Sequence, residues 1–180
     1  MNIAVYCGSS TGNDDKYIES AKQLGSWIGK GGNTLIYGGA NKGLMGAIAD
    51  SVLENGGKVT GVLPNVPQIL ARRHTGLTEC IQTSSMAERK SKMIELADAF
   101  VALPGGIGTL DEISEVLSLS SLDVITGPIV LFNVDGYYEP LRIVIRNIIE
   151  RGFGREEYFE NMLFSDDLDE IGRFLNGDIW

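Results

Sequence analysis

Histidine is nearly absent from this 180-residue chain: His74 stands alone, beside two cysteines, Cys7 and Cys80. Two cysteines cannot make a disulfide scaffold, and one histidine leaves too few ligands for a His-rich zinc site, so no metal is expected. Basic residues are also in deficit, 15 against 24 acidic ones, for a net charge of −9. That balance disfavours a nucleic-acid backbone or an anionic membrane as partner, yet leaves room for a small anion in one local positive pocket. No apolar run is long enough to span a membrane, and the opening MNIAVYCGSS lacks the basic start and long apolar core of a signal peptide. Disorder is excluded by 43% apolar and only 22% charged residues. Two nucleotide motifs are missing as well. Asp111 stands where a dinucleotide fingerprint beginning at Gly106 would need its third glycine, and no Gly-Lys-Ser/Thr follows any loop. These absences leave a cytoplasmic protein of a reducing compartment, folded as a single nucleotide-binding α/β domain over 1–180. A chain of this length buries about 70% of its unfolded surface and folds without staples.

Glycine is in excess. There are 23, about 13% of the chain, against a usual share of roughly 7%. They cluster at 8–12, 38–46, 56–61 and 105–108, each beside a short apolar run. The runs at 3–6, 34–37, 59–63, 99–103, 129–132 and 162–165 read as strands, and 79–83 as a further short strand. Between them, helical spacing predicts a helix over 14–30 on Tyr17, Ala21, Leu24 and Ile28, and a second on Leu44, Ile48 and Val52. Ser85 and Glu88 have capping-box form and open a helix with the apolar face Met86, Met93, Ile94 and Ala97. Further helices are expected at about 109–119, at 140–149 and from Asp167, while 65–78 reads as an irregular, lid-like segment. Strands alternating with helices imply a Rossmann-like doubly wound parallel sheet of six or seven strands, with helices on both faces.

In such sheets ligands sit beyond the carboxyl ends of the strands, where the turns at 8–12, 38–46 and 105–108 fall. Glycine allows close backbone approach, and a helix start just behind adds free N–H groups and partial positive charge, which suits phosphate. Glu112 has two readings. Thr109-Leu110-Asp111-Glu112 is itself of capping-box form, so Glu112 could cap its own helix; alternatively it is a carboxylate in the first helical turn, kept ionised by backbone donors and the helix dipole. Arg89 and Lys90 lie near the positive end of the helix opened by Ser85, which makes sense if an anion shares the site and is otherwise a solvated face. Cys7 reads as a small buried residue, and His74 as a loop residue or a substrate contact.

Pro104-Gly105-Gly106-Ile107-Gly108-Thr109-Leu110-Asp111-Glu112 resembles the PGGxGTxxE signature of the Lonely Guy family, the cytokinin-activating phosphoribohydrolases. Met86-Ala87-Glu88-Arg89-Lys90 resembles that family's second motif, and Tyr37-Gly38-Gly39, Gly43-Leu44-Met45-Gly46, Gly76-Leu77-Thr78-Glu79 and Asn133-Val134-Asp135-Gly136-Tyr137-Tyr138 resemble further blocks. The resemblance implies hydrolysis of the N-glycosidic bond of AMP or an N6-substituted AMP, giving free base and ribose 5-phosphate, with no cofactor and as a homodimer. It makes Arg89 and Glu112 the catalytic pair and Lys90, Gly106, Ile107, Gly108, Thr109, Leu110, Asp111 and Ser118 substrate contacts. Gly8, Ser9, Gly38, Gly39, Met45, Met86 and Gly105, from the turns and helix starts at the same ends, complete the candidate set. Ala71 departs from the family pattern, which carries a substrate-contacting glutamate there. The label "possible lysine decarboxylase" also travels with the family, but no pyridoxal phosphate lysine constellation is visible. The alternative on the same superfamily fold is a non-enzymatic nucleotide or molybdenum-cofactor carrier, which needs no carboxylate aimed at an anomeric carbon.

Overall fold

A computed structural model describes residues 1–178; residues 179 and 180, the last of the expected domain, lie outside it. Seven parallel strands form one sheet: β1 (Asn2–Tyr6), β2 (Thr34–Tyr37), β3 (Lys58–Pro64), β4 (Glu79–Thr83), β5 (Ala99–Ala102), β6 (Ile129–Phe132) and β7 (Met162–Ser165). Their order is β4-β3-β2-β1-β5-β6-β7, so the winding reverses beside β1, which pairs with both β2 and β5. A crevice opens at that reversal, beyond the carboxyl ends. Between the strands run α1 (Asp15–Lys30), α2 (Gly43–Glu54), α3 (Pro67–Leu70), α4 (Met86–Leu96), α5 (Ile107–Ser120), α6 (Glu139–Glu150) and α7 (Leu168–Leu175).

Alternate side chains of each strand feed opposite layers. Ile3, Val5, Leu35, Tyr37 and Val101 pack with Leu24 and Ile28 of α1, Ile48 and Val52 of α2, and Ile171 of α7. Ala4, Tyr6, Ile36, Val62 and Phe100 pack with Met93 of α4 and with Ile113 and Val116 of α5. The sheet is thus covered on both faces, as continuous apolar strands require. Among the described residues, no helix is long and apolar enough to cross a membrane.

Three expectations are corrected. The helix expected from about residue 109 begins at Ile107, with Gly106 as its N-cap, so Thr109 caps nothing and the capping-box reading of Glu112 falls. Met86 is not part of an apolar core face: it lies in the first turn of α4 and is 49% exposed, while Ala97 is the C-cap of that helix. The 65–78 segment contains the short helix α3, which starts with Pro67, the residue type whose missing N–H costs nothing there. Ser85 does cap α4, accepting from the Glu88 N–H at 3.1 Å; the Glu88 carboxylate reaches Ser84 rather than closing the box on Ser85.

Candidate active site

A cavity of about 380 Å³ fills the crevice, within the range of small-ligand pockets. Three turns at the carboxyl ends of β1, β2 and β5, with the helix starts behind them, bound it, supplying Gly8 and Ser9, Gly38 and Met45, and Gly106, Gly108 and Thr109. The first turn of α4 adds Met86 and Arg89, and α5 adds Glu112.

Arg89 and Glu112, 23 positions apart, form a buried ion pair at 2.5 Å, with side chains 8% and 11% exposed. Arg89 Nε also donates to the Val62 carbonyl of β3 at 3.0 Å, which fixes the guanidinium against the sheet. Space for it depends on Gly38: a Cβ there would collide with Arg89 Nη2. Burial raises the Glu112 carboxyl above its ordinary range, and the Arg89 guanidinium opposes that rise without cancelling it. The sequence-based expectation of a carboxylate held ionised by backbone donors and the helix dipole is corrected here. Because α5 starts two residues early, Glu112 sits in its second turn, where the dipole has faded and desolvation dominates. The anions that accompany the two cations of α4 belong to the chain itself: Glu112 for Arg89, and Asp111 and Glu115 for Lys90.

Other candidates lie elsewhere. The Lys90 ammonium is held by Glu115 at 2.8 Å and Asp111 at 3.0 Å, and does not line the cavity. Asp111 and Ser118 point along that same outer face of α5, seven positions apart. Ile107 and Leu110 line a separate apolar groove with Tyr137, Tyr138, Leu141 and Val144. Gly105 lines that groove rather than the cavity, and a Cβ there would clash with Thr109. Gly39 is spent on structure: its φ is +77° and its carbonyl accepts from the His74 N–H at 2.9 Å.

His74 is a loop residue. Its Nδ1 accepts from the Gly76 N–H at 3.0 Å and its Nε2 meets Asp50 at 2.9 Å, tying the segment after α3 to α2. Cys7 lines the cavity, but burial pushes its thiol far above the ordinary range, so it is no thiolate nucleophile. Sequence reasoning missed Ala40, Pro64, Gln68, Ile69 and Arg72 as lining residues. Gln68, Ile69 and Arg72 belong to α3 and its end, so the lid-like character of 65–78 was the available signal. Among the described residues no cluster of three or more His, Cys, Asp or Glu side chains is arranged to hold a metal ion. No lysine is among the residues lining the cavity, so a Schiff-base site of the kind a lysine decarboxylase needs has no candidate there.

A family model described as possible lysine decarboxylase matches residues 45–175. The cytokinin riboside 5′-monophosphate phosphoribohydrolase of Rhodococcoides fascians is 42% identical, covering 84% of this chain and 77% of its own. A phosphoribohydrolase of the same name from Arabidopsis thaliana is also 42% identical, over 84% of this chain and 71% of its own. Among solved structures, the molybdenum-cofactor carrier protein of Chlamydomonas reinhardtii superposes with a TM-score of 0.71 at 20% identity, over 98% of both chains. A molybdenum-cofactor binding protein from Rippkaea orientalis gives 0.61 at 22% identity, over 82% of this chain and 96% of its own. Those two likenesses establish the fold; the family model and the 42% relatives establish the lineage. The chain belongs to the Lonely Guy family of phosphoribohydrolases, the group that the possible lysine decarboxylase model describes.

Proposed function

We propose that this protein is an N-glycosyl hydrolase of nucleoside 5′-monophosphates, releasing the free base and ribose 5-phosphate, with AMP or an N6-substituted AMP as substrate. The observation that carries the reading is the buried Arg89–Glu112 pair on a cavity edged by three glycine-rich turns. The 5′-phosphate binds at the start of α5, where the amides of Gly108 and Thr109 have no intrahelical acceptor and the helix end is positive. The apolar wall of Met45, Pro64, Ile69 and Met86 receives the base. The ribose then lies between, over Glu112.

Breaking the C1′–N9 bond leaves positive charge on the ribose ring, as in glycoside hydrolysis. The Glu112 carboxylate stabilises that charge and orients the water whose oxygen bonds C1′; the water's proton leaves with the base nitrogen. A charge so placed is worth about 3–4 kcal/mol of barrier. Arg89 holds the carboxylate in position and keeps enough of it ionised to act, against the pull of burial. The carrier alternative rests on fold alone, at 20–22% identity.

A homodimer fits the reading. Lys90, Asp111 and Ser118 fall outside the protomer's cavity, and Ile107, Leu110, Ile143 and Val144 present exposed apolar surface on α5 and α6. Free thiols at Cys7 and Cys80 suit a cytoplasmic setting. The test is incubation with AMP and with N6-isopentenyl-AMP, followed by chromatography. Stoichiometric free base and ribose 5-phosphate support the reading; unchanged nucleotide over long incubation with both would overturn it.

A further inference from the structure

The Asn133–Tyr138 block, legible in the sequence, takes no part in the cavity, yet two of its side chains bond the loop between β5 and α5. The carbonyls of that loop are all engaged by protein donors. The Leu103 carbonyl accepts from Tyr138 Oη at 2.7 Å, that of Pro104 from the Gly8 N–H at 3.0 Å, and that of Gly106 from the Leu110 N–H at 3.1 Å. The Gly105 carbonyl accepts from Tyr137 Oη.

None of these peptide bonds is cis, and in a trans peptide the N–H points opposite to the C=O. Fixing the Gly105 carbonyl toward Tyr137 therefore sends the Gly106 N–H away from Tyr137, and Gly106 edges the cavity as well as the Tyr137 groove. The peptide joining Gly105 to Gly106 needs such a constraint, because two glycines leave it little rotational preference of its own. Turned over, it would present a carbonyl oxygen to the phosphate instead of a donor.

Tyr137 is itself well held. Asp135 and Gly136 before it adopt left-handed conformations, with φ of +53° and +73°. Its ring meets Tyr17 edge-on at 6.0 Å and Tyr138 at 5.0 Å. The Tyr138 N–H donates to Asn133 Oδ1 at 2.7 Å, and Asn133 Nδ2 to Glu139 at 2.7 Å, which closes the turn on itself.

We propose that Tyr137 is a positioning residue for the phosphate subsite: its hydroxyl sets the Gly105-to-Gly106 peptide so that the Gly106 N–H faces the 5′-phosphate. The inference rests on the proposed hydrolysis of nucleoside 5′-monophosphates. Tyr138 provides an internal control. The peptide after Leu103 ends on Pro104, which has no N–H to aim, so the Tyr138 hydroxyl secures the loop without orienting a donor.

The test compares Tyr137→Phe with Tyr138→Phe, each of which keeps its ring and loses one hydroxyl. Calorimetric titration with ribose 5-phosphate reads the phosphate subsite without turnover, and KM and kcat for AMP follow on the same preparations. Tyr137→Phe should weaken ribose 5-phosphate binding about five- to tenfold, on the scale of one lost hydrogen bond. KM for AMP should rise by the same factor, with kcat and melting temperature nearly unchanged. Tyr138→Phe should lower the melting temperature and leave ribose 5-phosphate affinity intact. Unchanged affinity in Tyr137→Phe, or equal losses of affinity in both variants, would overturn the role given to Tyr137. If the wild-type chain binds ribose 5-phosphate but releases no base from AMP, the hydrolytic reading fails, and the two titrations still decide the role of Tyr137.

Discussion

Glu112 owes its chemistry to a competition that burial wins. Its carboxyl is raised by desolvation and pulled back by Arg89, so the ionised form that the proposed mechanism uses is lost at a higher pH than for an exposed glutamate, whose ordinary value is about 4.3. The acid limb of kcat/KM should therefore lie above that value, and Arg89→Ala, which removes the opposing charge, should move it higher still. A pH-rate profile of both proteins checks this; an Arg89→Ala limb at lower pH than wild type would contradict it. The same raised value has a stability consequence. The folded state holds the Glu112 proton better than the unfolded one, so this group's contribution is full below the unfolded value and is lost as pH rises through the folded one. Glu112→Gln removes that cost at neutral pH and still offers Arg89 an acceptor, though no counter-charge, so it should destabilise less than truncation does. Turnover should fall about 100-fold or more. Glu112→Ala leaves Arg89 buried without a counter-charge and should cost about 3–5 kcal/mol. Thermal melts and turnover on the two variants separate charge from packing. At this scale the resemblance named Arg89 and Glu112 together, but their direct ion pair was not readable: 23 positions separate them, and only the fold brings them into contact. Lys90, adjacent in sequence to Arg89, turns instead to Glu115 and Asp111, because neighbouring positions on a helix face different directions.

Most strands were legible because a parallel sheet covered on both faces needs continuous apolar runs, and all seven expected strands fall within one residue of the observed bounds. Helix starts were legible where a side chain marks them. Asp14, Ser85 and Asp167 each accept from amides of the turn they open. The start of α5 carries no such mark, since its cap is Gly106, and the Thr109–Glu112 pattern drew the reading two residues too far along. The four residues of α3 are too few for a periodic signal, so the part of the cavity wall they supply stayed hidden. Packing between elements was equally silent about Gly38. This turn residue lies at the close approach of the β2–α2 connection to α4, and its missing Cβ leaves room for the Arg89 guanidinium. Gly38→Ala should displace that guanidinium, costing about 1–3 kcal/mol as overpacking does. Turnover should drop with the displacement of Arg89 and Glu112. Circular dichroism melts with parallel assays test this; a Gly38→Ala protein with wild-type turnover would show that Arg89 does not depend on the gap.

On the scale of the whole molecule, the doubly wound sheet gathers turns from β1, β2 and β5 and the first turn of α4 around one crevice, which is why residues from 7 to 112 meet there. The outer faces of α5 and α6 carry the apolar surface that the protomer leaves uncovered, including Ile107, Leu110, Ile143 and Val144. Light scattering should report about twice the 19.5 kDa chain mass, and a mass equal to one chain at micromolar concentration would contradict the homodimer. The net charge of −9 makes the amide-lined end of the crevice the natural place for a phosphate on an otherwise anionic molecule. The central claim is that this phosphate subsite and the buried pair act together on one substrate. The most direct measurement is kcat/KM for AMP and for adenosine, taken side by side from the rate of adenine release. The account predicts rapid release from AMP and a preference over adenosine of about 100-fold or more, since remote phosphate binding holds the anomeric carbon over Glu112. Equal kcat/KM for the two substrates, or release from neither, would contradict it.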